Sequence, residues 1–464
     1  MNQEVKKWIE AHKDELVEDV KALCSIPSVN APAAGDEPFG EEPYKALMKA
    51  MEIAESYGFT TKNYDNYVAS ADFDPALPHS LDILGHTDVV PAGEGWTVTE
   101  PFKIIEKDGR LYGRGTSDDK GPLLASMFAL KAIKELGIPL KKGVRVIIGS
   151  DEETGSTDIA HYFETEKPAS MTFSPDANFP IINIEKGQFR GELSADFAED
   201  TAAPRVLSLE AGVAINAVPQ KAVIKFEGLD RAAAEPVMAA VAKECNVEIS
   251  FTGDQEITVI GESAHASTPE TGRNAGLAAV ILISRLPLHE SEELKLVKKI
   301  PNLFPYGVTD GSGIGIKLHD EESHDLSCTL DLYHIDPKHI DFQFDARTPV
   351  SATKENCEDK AAAAVRAAGF TWSTPGMVPP HVVSADSDFV KTLLSAYTDV
   401  TGLPGECIAI GGGTYVHDIE NGVAFGAVLP GVDTRMHGAD EFMDISNLVT
   451  AAEVYAEAIL RLCS

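Results

Sequence analysis

The apolar positions of this chain follow two rhythms, and the change between them falls near residue 187. In residues 3–24, Val5, Trp8, Ile9, Leu16, Val20 and Leu23 recur on one helical face, and Pro27 stops the run. Residues 43–57 read as a second helix. SLDILGHTDVV (80–90) is an apolar strand that enters a polar turn, GPLLASMFALKAIKELG (121–137) is a helix stopped by Gly137, and VRVIIGS (144–150) is the next strand. A strand–helix–strand series with so long a connection predicts a right-handed crossover and a parallel sheet. MTFSPD (171–176) adds a short strand that ends in an acid.

Beyond 187 the alternation shortens to a period of two. EKGQFRGELSADF (185–197) and KAVIKFEG (221–228) read as half-exposed antiparallel strands, 231–244 as a helix, 247–263 as two strands and 273–286 as a helix. The order then recurs, with strands in 328–347 and a helix over 354–369. A helix over 381–402, a buried strand in 422–431 and a closing helix over 447–463 return to the first rhythm. The predicted fold class is therefore α/β: a mixed, largely parallel sheet flanked by helices, formed by residues 1–186 plus 380–464. Residues 187–379 form an inserted α+β lid domain of two similar subunits.

Composition narrows the function. Lys and Arg total 39 against 73 Asp and Glu, a formal charge of −34. That surplus argues against nucleic acid or an anionic membrane as partner. The six cysteines form no C-x-x-C pair and read as reduced thiols. No apolar run reaches the roughly 18 residues of a membrane span, and the amphipathic start lacks a signal-peptide core, so the expectation is a soluble cytoplasmic protein.

Acids and histidines gather where the apolar segments end. Five stretches carry them: GHTDVVP (85–91), GRGTSDDKG (113–121), SDEETGS (150–156), SPDANFP (174–180) and TRMHGADEF (434–442). In open α/β sheets, sites form beyond the carboxyl ends of the strands. Unpaired carboxylates are costly to gather, and a divalent cation would relieve that cost. On extended backbone Glu152 and Glu153 point to opposite sides, so they cannot readily share one role. His86 and Asp88 lie two apart on one face, where one can ligate and the other orient it. The alternative stays open that these acids are caps and turns, Asp118 or Asp119 capping the helix near Gly121.

The ordered set GHTDVVPAGEGW, GRGTSDDKGP, GSDEETGS, SPDANFP, GESAHASTPETGRNA and RMHGADE resembles the co-catalytic zinc metallopeptidases that include aminoacylase, succinyl-diaminopimelate desuccinylase, bacterial glutamate carboxypeptidase and carnosinase. Within that family it is most similar to the bacterial dipeptidase V, or Xaa-His dipeptidase, type, over essentially the whole chain. The resemblance implies two divalent ions, zinc or manganese. His86 and Asp176 would hold one, Glu153 and His437 the other, and Asp118 would bridge them, with a cis peptide after it. Glu152 would be the general base acting on a bridging water, Asp88 would orient His86, and His265 would stabilise the oxyanion. Asn216 and Arg347 are similar to residues that contact substrate, Arg347 gripping a free carboxylate bidentately, with the GGGTY loop around Gly413 beside them. The implied substrates are small dipeptides and the implied state a monomer, because the long insertion could bring His265 to its own chain's site. An N-acyl amino acid deacylase or desuccinylase with the same metal pair is the alternative.

Overall fold

A computed structural model describes residues 2–464. The chain forms two compact units, one of Met1–Ile184, His381–Ile408 and Gly413–Ser464, the other of Glu185–Pro380 and Ala409–Gly412.

The first unit is built on a mixed sheet. Strand Val68–Asp72 pairs antiparallel with Gly143–Gly149, which runs parallel to His79–His86; that strand in turn is parallel to Met171–Ser174, and the last to Gly422–Ala424. The predicted crossover is present: His79–His86 leads through helix Lys120–Glu135 to the neighbouring parallel strand Gly143–Gly149. Every residue of that helix from Lys120 to Ile133 is buried. It packs against helices Gln3–Cys24 and Ile445–Cys463, and the small side chains Ala125, Ala129 and Ala132 let them approach. A helix covered on every side cannot drift, so its first turn is a fixed platform beside the strand ends.

The second unit is built on one long antiparallel sheet. Its order runs Glu248–Gly253, Glu256–Ile260, Lys221–Glu227, Arg205–Ala211, Ser327–Ile335, His339–Thr348, Gly187–Asp196 and Thr371–Ser373. The two α+β passes read in the sequence are continuous, joined where Leu209, Glu210 and Ala211 pair with Ile335, His334 and Tyr333.

Some boundaries differ from the sequence reading. The helix expected over 381–402 starts at Asp388, capped by Ser387, which accepts from the Val390 amide; His381–Val382 is extended instead. The strand expected over 422–431 breaks at Gly426, whose φ is 75° and where a Cβ would lie 2.3 Å from the Phe179 ring. Its second half, Ala427–Val428, pairs with Ala177–Asn178. The 354–369 helix opens with a π turn, Lys354–Glu358. Among the described residues no helix is long and apolar enough to cross a membrane.

Candidate metal centre

Three parallel strands deliver side chains to one edge of the first unit's sheet. His86 is the last residue of its strand, Glu152 and Glu153 follow Gly143–Gly149 by one turn, and Asp176 follows Met171–Ser174. Asp118 arrives on the loop that starts the buried helix. The Asp119 Oδ2 atom accepts the His86 amide at 3.1 Å. This close approach needs Gly85, because a Cβ there would stand 2.3 Å from the Asp119 carboxylate. Asp119 occupies the N-cap position yet makes no capping hydrogen bond, so capping does not account for the Asp118–Asp119 pair. The peptide between them is cis.

The bridging geometry rests on Asp118. Its Oδ1 lies 3.1 Å from His86 Nε2, and its Oδ2 lies 2.8 Å from His437 Nε2. His86 Nε2 is also 3.4 Å from Asp176 Oδ2, and His437 Nε2 is 3.4 Å from Glu153 Oε2. Ligand atoms of His86, Asp118 and Glu153 all lie within 4.8 Å of one another, as do those of His86, Glu152 and Asp176. One carboxylate thus faces two imidazoles through different oxygens, and each imidazole has a further carboxylate of its own.

The electrostatics show what the cluster demands. Burial alone would lower the His86 pKa, but bonds to Asp118, Asp176 and Asp88 carry it well above its ordinary value. Bonds to Asp118 and Glu153 raise His437 to about 11. Burial would raise Asp118, but the two histidines hold it below the carboxylate range. Asp176 is pushed up to about 6 by burial and by the charge of Asp118, while burial lifts Glu152 well above the usual range. Asp119 Oδ1 is buried without a hydrogen-bond partner. Carboxylates driven toward protonation, with imidazoles driven toward imidazolium, are a donor set short of positive charge. Its nitrogen and oxygen ligands fit a pair of divalent cations.

The model of peptidase family M20/M25/M40 matches residues 83–461, a span that holds all these groups. The chain belongs to that family.

Its M20/M25/M40 relatives include the Beta-Ala-Xaa dipeptidase of Lactobacillus delbrueckii subsp. lactis, 34% identical over 478 residues that cover 100% of this chain and 99% of the relative. Human carnosine dipeptidase 1 shares the fold with a TM-score of 0.63 at 16% identity, covering 99% of this chain and 98% of its own. The di-peptidase Dug1p of Saccharomyces cerevisiae does so at 0.59 and 16%, covering 98% and 97%.

The M20/M25/M40 centre is braced by groups the sequence did not single out. Asp88, which it did, accepts the Glu152 amide on Oδ1 at 3.2 Å and the Glu153 amide on Oδ2 at 3.1 Å, and its Oδ1 lies 3.3 Å from His86 Nδ1. It therefore ties the His86 strand to the acidic turn. Beneath that turn, Asp158 accepts the Ser150 amide at 2.6 Å and the Tyr415 hydroxyl at 2.6 Å, and burial pushes Asp158 up to about 7. On the far side, buried Glu441 accepts from the Gly115 and Ser117 amides at 3.0 Å each and from Arg114 at 2.5 Å. Arg114 in turn donates to the His437 carbonyl at 3.2 Å. Asp440 accepts the Thr97 and Val98 amides at 2.8 Å each. The loop so held carries Arg435, His437 and Asp440 at φ of 56°, 62° and 57°, a left-handed conformation costly for residues with a Cβ.

The expected lid residues converge within the second unit. The Ala266 amide donates to the Asn216 carbonyl at 2.9 Å, and His265 forms a bridge with Ala217. Ser327 donates to the Ala266 carbonyl at 3.0 Å, and Ser327 pairs across the sheet with Arg347. The bidentate grip expected of Arg347 is not open to it in this arrangement. Nε and Nη2 face Asp345 at 2.6 and 3.4 Å, Gln188 lies beside Nη2, and Nη1 donates to the Gly411 carbonyl at 2.8 Å. Of the five guanidinium hydrogens, one on Nη1 remains. Gly413 is exposed and belongs to the first unit.

Proposed function

We propose that this chain, a metal-dependent dipeptidase, hydrolyses the peptide bond of unmodified dipeptides, with Glu152 as general base and His265 as a donor to the oxyanion. The observation that carries the reading is the Asp118 carboxylate, with one oxygen 3.1 Å from His86 and the other 2.8 Å from His437. Bound by His86, Asp118, Asp176, Glu153 and His437, two divalent ions, zinc or manganese, would polarise a carbonyl and acidify water.

The chain's own groups do the rest. Glu152 stands beside the ligands, its amide pinned to Asp88, and the charge of two bound cations would keep its buried carboxyl ionised. A carboxylate so placed takes a proton from the attacking water and returns it to the leaving amine. His265 donates a hydrogen bond to the oxygen that gains charge. Asn216, Gly413 and the remaining Nη1 hydrogen of Arg347 are the proposed substrate contacts, Arg347 at the free carboxylate. With the long insertion taken to carry His265 to its own chain's site, the proposed working state is a monomer. The name of the Lactobacillus relative supports a dipeptide substrate with a β-alanyl N-terminus.

The test is a substrate panel on metal-loaded protein: Ala-His, β-Ala-His and Leu-Leu beside N-acetyl and N-succinyl amino acids. Turnover of the dipeptides is expected. Preference for the acylated compounds would replace this reading with that of a deacylase or desuccinylase.

A further inference from the structure

The backbone around His265 fixes more than the position of the ring. The Ser267 amide donates to His265 Nδ1 at 3.2 Å, and Ser267 Oγ lies 2.7 Å from the same nitrogen. A hydroxyl can turn to give or to accept, but a backbone N–H can only donate. A nitrogen that accepts it must present its lone pair in the ring plane. Nδ1 is therefore bare, and a neutral ring carries its proton on Nε2. Protonating Nδ1 would set two N–H groups head to head, so the turn opposes both the other tautomer and the imidazolium.

The turn is held from several directions inside the second unit. The Thr268 amide donates back to the His265 carbonyl at 3.0 Å, closing the turn. The Ala266 amide and carbonyl are anchored to Asn216 and Ser327 at 2.9 and 3.0 Å. Ser267 packs against Gly411 so closely that a Cβ on that glycine would lie 2.5 Å from its own Cβ. Ser267 cannot swing away without disturbing these contacts, so its two donors stay on Nδ1.

We propose that Ser267 is a positioning residue that holds His265 as the neutral Nε2–H tautomer. Nε2–H is then the donor offered to the developing oxyanion, and it need not lose its proton at any point in the reaction. This rests on the assignment of His265 to the oxyanion. A donor to an oxyanion must carry hydrogen on the nitrogen that meets it, and a ring free to exchange tautomers would do so only part of the time.

Long-range proton–nitrogen spectra of the zinc-loaded protein, labelled with 15N-histidine, read the tautomer directly. The His265 signals are identified by their loss in His265→Gln. Between about pH 6 and pH 8, where an unrestrained ring titrates, His265 is expected to show an unprotonated Nδ1 and a protonated Nε2. Ser267→Ala removes the closer contact, at 2.7 Å, and leaves only the longer amide at 3.2 Å, so the tautomer should be held less firmly and its spectrum should move toward a mixture. Its kcat should fall roughly tenfold, the effect of one hydrogen bond, with KM little changed. Ser267→Thr, which keeps the hydroxyl, should restore both. A protonated Nδ1 in the wild-type protein at neutral pH would overturn the inference, as would a Ser267→Ala protein with unchanged spectrum and unchanged kcat. If His265→Gln keeps full kcat, the oxyanion role fails instead, and the wild-type spectrum still decides the tautomer.

Discussion

Arg114 and Glu441, 327 positions apart in sequence, meet at 2.5 Å with both side chains excluded from solvent. The pair joins the loop that presents Asp118 to the loop that presents His437, because Glu441 also takes the Ser117 amide and Arg114 also reaches the His437 carbonyl. Two candidate ligands from different chain segments are thus held by one ion pair.

Glu441→Gln keeps the shape of this joint and removes its charge, leaving Arg114 buried and unbalanced. The expected loss of stability is about 3–5 kcal/mol. Metal affinity should fall about 10–100-fold, as when the support of a ligand is removed. Denaturant unfolding and competition with a chelator check the two effects separately. A less stable protein with unaltered affinity would confine the pair to a role in folding.

Glu152→Gln should retain both metal equivalents and lose about 10²–10⁴-fold in kcat, the range expected for a missing general base. Metal analysis of the variant alongside its turnover of a dipeptide is the measurement. Near-normal kcat would remove Glu152 from the proton path.

The side chain of His437 is 49% exposed, unlike that of His86 at 0%. Substituting His437 by Ala should therefore spare the packed core, although it takes from buried Asp118 one of the two imidazoles that face it. It should still lower the metal retained on dialysis from two equivalents toward one and abolish most activity. Full retention of both equivalents would take His437 out of the ligand set. In the wild-type protein, chelation should remove activity in step with metal content, and zinc or manganese should restore it.

Asp331, in the second unit, gives a pH dependence of stability distinct from the metal centre. It is fully buried, and burial, opposed by Thr329 and reinforced by the charge of Asp345, pushes it from 3.8 up to about 9. Because the folded value lies above the unfolded one, the native state holds a proton that the unfolded chain has released. The contribution is intact below about pH 4 and is lost as pH climbs toward about 9, at up to about 1.4 kcal/mol per pH unit. Asp331→Asn cannot titrate, so its stability relative to wild type should rise between pH 5 and pH 8. Urea midpoints of both proteins across that range test this, and parallel curves would show that Asp331 ionises freely.

The parts of this architecture legible in the sequence are those written locally. Strands that end in acids and a long helix stopped by Gly137 mark the crossover and the edge where His86, Glu152 and Asp176 gather. Asp65 and Asn66, at φ of 52° and 63°, turn a hairpin between Thr60–Tyr64 and Val68–Asp72 that the apolar rhythm did not reveal; the adjacent Asp–Asn pair was the available sign. Arg114, Asp158, Tyr415 and Glu441 were not legible, because each acts through a partner distant in sequence and none sits in a motif that announces its contact. The engagement of Arg347 was hidden for a related reason: Asp345, its neighbour but one on the same strand face, already holds the guanidinium.

Asp118 is the proposed ligand that faces both His86 and His437. If it serves two ions, whatever binds beside His86 would withdraw charge from the same carboxylate that serves His437, and the two halves would not fill independently. When metal is scarce, the population should divide unequally among empty, singly loaded and doubly loaded molecules, and working capacity should follow the last of these, giving a curved response to supply.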